Sequence, residues 1–179
     1  GTAAHCGLEG DIAVQLGTLS KALASEVGFV CGSKTLISYL LSKARSFIFS
    51  TAMAPATVAA ATAALRQLQL QPELAERLQS HARLLRQELL QHGLEVLPGT
   101  TPIIPLLTYD TAATMDLAEA CLQAGLVVSG IRPPTVPHGE SRLRLTVCAA
   151  HEPEELRQAA QKIALAAKET KIRQERNAE

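Results

Sequence analysis

The hydrophobic positions of this chain change period several times, and each change marks an element. Asp11 to Leu16 holds a short apolar run that reads as a strand, and Gly28-Phe29-Val30-Cys31-Gly32 reads as a second. Ser33 is a side-chain cap for a helix in which Leu36, Leu40 and Leu41 recur at helical spacing. Phe47 to Ser50 is another brief apolar run, followed by Thr51. Pro55 then opens an alanine-rich helix to about Leu70; alanine has high helix propensity and lets another backbone come close. Pro72 marks the first turn of the next helix, whose apolar stripe is Leu74, Leu78, Leu85 and Leu89 and whose stop is Gly93. Arg77, Arg83, Arg86 and Glu88 fall mostly off that stripe, as a solvated face would.

After Gly93 the strand period returns. Leu94 to Leu97 and Ile103 to Thr108 read as strands, the latter following Pro102. Asp110 or Thr111 caps a helix carrying Ala118, Cys121 and Leu122, closed by Gly125. Leu126-Val127-Val128 reads as a third strand, and the alternation Leu143-Arg144-Leu145-Thr146-Val147 as a fourth. The last helix begins at Pro153 among Glu152, Glu154 and Glu155, which suit its N-terminus. Its buried stripe is Leu156, Ala160, Ile163 and Ala167, Lys168 and Lys171 suit its end, and the polar tail from Arg173 is expected to fray. The pattern thus predicts a strand-and-helix segment in the first third and a compact α+β unit over 73–172, with no internal repeat.

Composition narrows the function classes. Apolar residues make up 47% of the 179 and charged residues 19%, enough for a core. Seventeen basic residues against 17 acidic ones leave no whole-chain field for nucleic acid or anionic lipid. Aromatics at 3% and the absence of Trp argue against a base-stacking platform. There is no run of about 18 apolar residues, and no charged-then-apolar leader opens the chain. No partnership with nucleic acid or membrane is expected. The cysteines at 6, 31, 121 and 148 show neither a CxxC pair nor metal spacing, so no metal is expected. Cys31, Cys121 and Cys148 lie in apolar runs and read as small buried hydrophobes, which suits a reducing cytosol. The chain opens on Gly1 rather than methionine, and Gly1-Thr2-Ala3-Ala4-His5 reads like the interior of a longer polypeptide.

Two stretches carry candidate chemistry. In Gly17-Thr18-Leu19-Ser20-Lys21-Ala22 a lysine stands among small residues, with the hydroxyls of Thr18 and Ser20 beside it. A Gly-led turn adds backbone N–H groups, so the loop could hold a phosphate next to an amine able to form a Schiff base. An ordinary exposed turn with a solvated lysine is the alternative. The second stretch, Ile131-Arg132-Pro133-Pro134-Thr135-Val136-Pro137, places three prolines within five positions directly after an arginine. Their stiffness anchors the backbone, and a guanidinium there can present a two-pronged fork to a carboxylate. Arg132 could equally cap a helix or pair with an acid in the fold.

Together these stretches resemble the α-oxoamine synthases, pyridoxal phosphate (PLP) enzymes of the aminotransferase-like fold. These enzymes condense an amino acid with an acyl thioester and lose carbon dioxide. Gly17 to Ala22 is similar to their PLP-lysine motif, and Phe49-Ser50-Thr51-Ala52-Met53-Ala54-Pro55 to their segment at the subunit interface. Within the family, Ile131 to Pro137 followed by Arg142-Leu143-Arg144-Leu145-Thr146 and Ala149-Ala150-His151 is most similar to the member that joins L-alanine to a pimeloyl thioester. Relatives making aminolevulinate, aminoketobutyrate or ketosphinganine carry different residues before the corresponding turn.

The resemblance implies an α/β fold: the C-terminal part of the large PLP-transferase domain over 1–72, then a small α+β domain with a mainly antiparallel sheet over 73–179. It implies PLP as cofactor and a cytoplasmic homodimer. By the same resemblance Lys21 is the Schiff-base lysine and later the acid/base, and Thr18 contacts the cofactor phosphate. Thr51, with Ser50, reaches the phosphate held by the partner subunit. Arg132, with Thr135 beside it, holds the substrate carboxylate. The cycle needs a neutral amine, whereas a free lysine has a pKa of about 10.4. Ala24 and Val27 stand where the family usually has glycine. The family's ring-stacking His and its Asp-x-Ala-His segment have no counterpart here, since Asp11, Asp110 and Asp116 lack that pattern. The expectation is therefore a C-terminal portion of the enzyme, inactive alone.

Overall fold

A computed structural model describes the backbone of residues 1–176 and the side chains of residues 1–170. The chain divides into two compact units, Gly1–Gln71 and Pro72–Glu179.

The first unit opens with a single helical turn, α1 (Thr2–His5), and an antiparallel pair, β1 (Val14–Thr18) and β2 (Gly28–Gly32). The ladder runs from Val14↔Gly32 to Thr18↔Gly28, so the first strand starts later than its apolar run and continues through Gly17 and Thr18. Pairing, rather than hydrophobicity, sets those ends. The glycines permit close approach: a Cβ on Gly17 would lie 2.4 Å from the Phe29 ring, and one on Gly28 2.6 Å from the Gly17 carbonyl oxygen. Ser33 Oγ accepts the Leu36 N–H at 3.2 Å and caps α2 (Lys34–Lys43). The Phe47 run forms the turn α3 (Arg45–Ile48), and Pro55 opens α4 (Pro55–Leu70) as its spacing predicts. No described residue of this unit is fully buried, and Cys31, expected inside, is exposed.

The second unit holds the core. Its elements are α5 (Glu73–Gln91), β3 (Ile103–Tyr109), α6 (Thr111–Gln123), β4 (Ser129–Ile131), β5 (Ser141–Thr146) and α7 (Pro153–Arg176). The sheet order is β3-β5-β4, with both pairs antiparallel. Ser141, Leu143 and Leu145 of the central strand are buried while Arg144 and Thr146 are exposed, which is the alternation read from the sequence. Leu143, Leu145, Ile104 and Leu106 pack with Leu85 and Leu89 of α5, Leu117 and Cys121 of α6, and Leu156, Ala160 and Ile163 of α7. Asp110 Oδ2 accepts the Ala113 N–H at 2.8 Å and caps α6. Gly93 ends α5 at φ +75°, a conformation that favours glycine.

Several expectations change here. The stretch Leu94 to Leu97 keeps one bridge, Val96↔Leu106, with flanking bonds Leu97 N–H to Pro105 O at 3.0 Å and Leu107 N–H to Glu95 O at 2.8 Å. The third strand is Ser129–Ile131 and not Leu126 to Val128, because only the later residues meet partners on β5. Leu122 lies outside at 51% exposure, and Thr114 and Leu117 face inward in its place. Cys148 is exposed and only Cys121 is buried. Arg86 and Glu88 are half-buried rather than solvated: Arg86 Nη1 donates to the Leu97 carbonyl, and Glu88 Oε1 meets Arg157 Nε at 3.6 Å. The helical backbone of α7 continues past Arg173 to Arg176, and the rest of the tail expected to fray, 177–179, lies outside the described residues.

Candidate active site

β1 delivers Gly17 and Thr18 into the lysine turn. Leu19 N–H donates to Val27 O at 3.0 Å, Ser25 N–H to Leu19 O at 2.9 Å and Ala24 N–H to Lys21 O at 3.0 Å, so the turn closes on itself. Ser25 Oγ–H donates to Thr57 O at 2.8 Å, tying the turn to α4. Two residues take left-handed backbone to allow this, Ala24 at φ +48° and Val27 at φ +55°. Those are the two positions where the sequence departs from glycine, and a Cβ makes each costly.

Thr18 Oγ1 lies 2.6 Å from Ser20 Oγ and 3.2 Å from Val27 O, and accepts the Ser20 N–H at 3.1 Å. Each hydroxyl has one proton. If that of Thr18 goes to Val27 O, that of Ser20 goes to Thr18; rotating Ser20 then frees a donor at the turn surface. Lys21 is exposed, and its Nζ has neither a hydrogen bond nor an ion pair among the described residues. A cavity of about 700 Å³ borders Gly17, Thr18, Ala22, Leu23 and Phe29.

A cofactor bearing an aldehyde and a phosphate needs an unpaired amine, hydroxyl and amide donors, and little bulk at the turn. Lys21, the Thr18–Ser20 pair and Gly17 fit those needs in turn. Ser50 Oγ instead donates to the Ser46 carbonyl within its own turn, and Thr51 is exposed. No hydrogen bond joins either to Thr18 or Lys21 among the described residues.

Arg132 belongs to the second unit, directly after β4. It is exposed, and Nη1 donates to Met115 Sδ at 3.0 Å, with no acidic partner among the described residues. Thr135 N–H donates to Arg132 O at 3.0 Å and closes the proline turn. Met115 is the residue that sequence reasoning missed. It lies 17 positions away on α6, and a Cβ on Gly130 would sit 3.1 Å from its sulfur. Nothing local announces that contact. Among the described residues, no group of three or more His, Cys, Asp and Glu side chains could hold a metal ion, and no helix is long and apolar enough to cross a membrane.

Residues 1–163 match the family model of aminotransferase class I and II, and the chain belongs to that family. More particularly, it is 42% identical over 161 residues to the 8-amino-7-oxononanoate synthase of Trichlorobacter lovleyi, covering 89% of this chain and 41% of that one. To the putative 8-amino-7-oxononanoate synthase of Desulfovibrio desulfuricans it is 47% identical over 161 residues, 89% of this chain and 42% of that one. A solved serine palmitoyltransferase from S. paucimobilis with bound PLP superposes with a TM-score of 0.88 at 30% identity, covering 96% of this chain and 44% of that chain. The 8-amino-7-oxononanoate synthase of Francisella tularensis shares the fold, with a TM-score of 0.73 at 23% identity over 87% of this chain and 45% of that chain. The chain thus spans 41% to 42% of the length of the curated relatives quoted. PLP is the cofactor of these enzymes.

Proposed function

We propose that this chain is part of a PLP-dependent acyltransferase that joins L-alanine to a pimeloyl thioester, giving 8-amino-7-oxononanoate, carbon dioxide and the free thiol. The observation that carries the reading is the unpaired Lys21 amine beside the Thr18–Ser20 hydroxyl pair. PLP, when bound, supplies an aldehyde for amine exchange and a sink for the electrons released at the amino-acid Cα. Lys21 Nζ would hold the aldehyde until the alanine amine takes its place and, freed as an amine, would take the Cα proton of alanine and return one to the product. Turned from the Val27 carbonyl, the Thr18 hydroxyl donates to phosphate; Thr51, and Ser50 once turned from the Ser46 carbonyl, donate to the phosphate held by the partner subunit of a homodimer. Arg132 clamps the alanine carboxylate, with Thr135 holding its turn. Residues 1–72 then belong to the large domain and 73–179 form the small one, in a cytoplasmic enzyme. Coenzyme A and a carrier protein are the two acyl carriers to compare.

The test is borohydride reduction of the PLP-loaded protein followed by peptide mapping. The pyridoxyl group is expected on Lys21, and recovery on Lys34 or Lys43 overturns the assignment. Substrate class is read separately, from thiol release by the full holoenzyme with alanine and pimeloyl thioester. A preference for glycine or serine as amino acid identifies a different α-oxoamine synthase. Residues 1–179 alone should give no turnover, because none of Asp11, Asp110 and Asp116 stands in the family's Asp-x-Ala-His pattern. Turnover near that of an intact synthase would refute this, and loss of turnover in the full holoenzyme would favour a non-catalytic dimerisation module.

A further inference from the structure

β4 ends at Ile131, and its alternation carried one residue further puts Gly130 and Arg132 on one side, with Ile131 on the other. The side of Gly130 faces α6: a Cβ there would lie 3.1 Å from Met115 Sδ, 3.3 Å from Thr114 Cγ2 and 3.8 Å from Ala118 Cβ. The bare glycine lets the Met115 thioether lie against the strand, where Sδ accepts from Arg132 Nη1 at 3.0 Å. The backbone of Arg132 is held on both flanks, by the end of the ladder at Ile131↔Arg142 and by Thr135 N–H on its own carbonyl at 3.0 Å. Arg132 is thus fixed at its root by the fold and at its tip by one sulfur.

The kind of partner matters for the charge. α6 carries two acids close to Met115 in sequence, Asp116 and Glu119. Glu119 accepts instead from Gln123 Nε2 at 2.7 Å, and neither acid forms an ion pair with Arg132 among the described residues. A carboxylate set against the guanidinium would neutralise it and compete with any carboxylate ligand. A thioether is a weak, uncharged acceptor, so it orients the group and leaves the charge available. The sulfur engages Nη1 alone. The N–H groups of Nε and Nη2 meet no partner among the described residues, and two such parallel donors take a carboxylate in bidentate fashion. An arginine stem has several rotors, and ordering them before a ligand arrives removes that ordering from the binding step.

We propose that Met115 is a positioning residue for Arg132: its sulfur, seated against Gly130, holds the guanidinium with the Nε–Nη2 edge open to the amino-acid carboxylate. This rests on the reading of Arg132 as the carboxylate clamp.

Two measurements test it. In this chain, the order parameter of the Arg132 Nε–H bond, read by NMR relaxation, should fall in Met115→Leu, which keeps the volume and loses the acceptor. It should return in Met115→Gln, which restores an acceptor at similar reach. In the full holoenzyme, Met115→Leu should raise KM for alanine about three- to tenfold with kcat little changed, because a loosened clamp weakens carboxylate binding alone. KM for the pimeloyl thioester should not move, and Met115→Gln should recover most of the loss. Added to Arg132→Ala, Met115→Leu should change nothing more, since it acts through that side chain. An order parameter indifferent to Met115→Leu overturns the proposal whatever Arg132 binds. An unchanged alanine KM in Met115→Leu, where Arg132→Ala raises it, overturns the proposal and leaves the clamp standing. A full further loss in the double variant does the same. If Arg132→Ala leaves alanine use untouched, the clamp reading falls and the proposal falls with it. A lower alanine KM in Met115→Leu would mean that the sulfur holds Arg132 away from substrate, which also overturns it.

Discussion

At the scale of single residues, the lysine turn carries a conformational cost that its sequence alone hints at. Val27 is branched at Cβ, 56% exposed and held at φ +55°, so its side chain is strained without much burial in return. Left-handed backbone costs a non-glycine residue roughly 1–2 kcal/mol, and glycine's extra freedom in the unfolded chain takes back about 0.4–1 kcal/mol. Val27→Gly should therefore raise stability by about 0.5–1 kcal/mol, read as a higher urea midpoint at unchanged slope. A lower midpoint would mean that the valine side chain packs usefully. Cys121 is fully buried, and burial pushes its thiol up to about 11 from 9.0. The raised value favours the neutral form in the folded state, so this contribution is complete below pH 9 and is lost as pH climbs from 9 toward 11. Thiol titration of the native protein should label the exposed Cys6, Cys31 and Cys148 first and Cys121 only on unfolding. Arg132 has its proposed role tested by Arg132→Ala in the full holoenzyme. Losing a charge-assisted hydrogen bond costs roughly 1.5–3 kcal/mol, or about ten- to a hundredfold in the use of alanine. The pimeloyl thioester should be much less affected, and equal losses for both substrates would mark a structural arginine.

At the scale of elements, one face of each helix in the second unit does the packing. On α5, Leu89 is 0% exposed and its neighbour Leu90 is 53% exposed. Leu89→Ala should cost about 2–5 kcal/mol, whereas Leu90→Ala stays within about 0.5 kcal/mol. Chemical denaturation of the two variants measures the difference, and similar losses would place the stripe incorrectly. The strands behave differently from the helices. β5 was legible because the alternation of Leu143, Arg144 and Leu145 is local, and β4 was misplaced because Leu126-Val127-Val128 is the greasier segment while Ser129-Gly130-Ile131 is the paired one. Apolar content marks a segment able to enter a sheet. The ladder is made only where a partner lies alongside.

At the scale of the whole chain, burial is divided unevenly between the two units. Every fully buried described residue belongs to the second, while Leu16, Phe49 and Leu70 of the first are 75%, 77% and 79% exposed. Local opening is easiest where few apolar side chains would be uncovered by it. Amides of β1 and β2 should thus exchange at least tenfold faster than those of β3 and β5 in the isolated chain. Comparable protection in both pairs would contradict that division of stability.

What the sequence determined by itself is the set of features written in neighbouring residues. Ser33 as a cap, a cap at Asp110 or Thr111, Pro55 as a helix start, Gly93 as a stop and the stripe of α7 all act within a turn or two of themselves. Those interactions form wherever the segment goes. Tertiary structure decided the rest: that β1 extends through Thr18, that β4 begins at Ser129, that Cys31 and Cys148 face solvent, that Arg86 and Glu88 acquire partners, and that Met115 meets Arg132. Each of these depends on a group brought near by the fold from far along the chain, or on the absence of one. A side chain's type limits which partners it can accept, but only the packed chain sets which partner arrives.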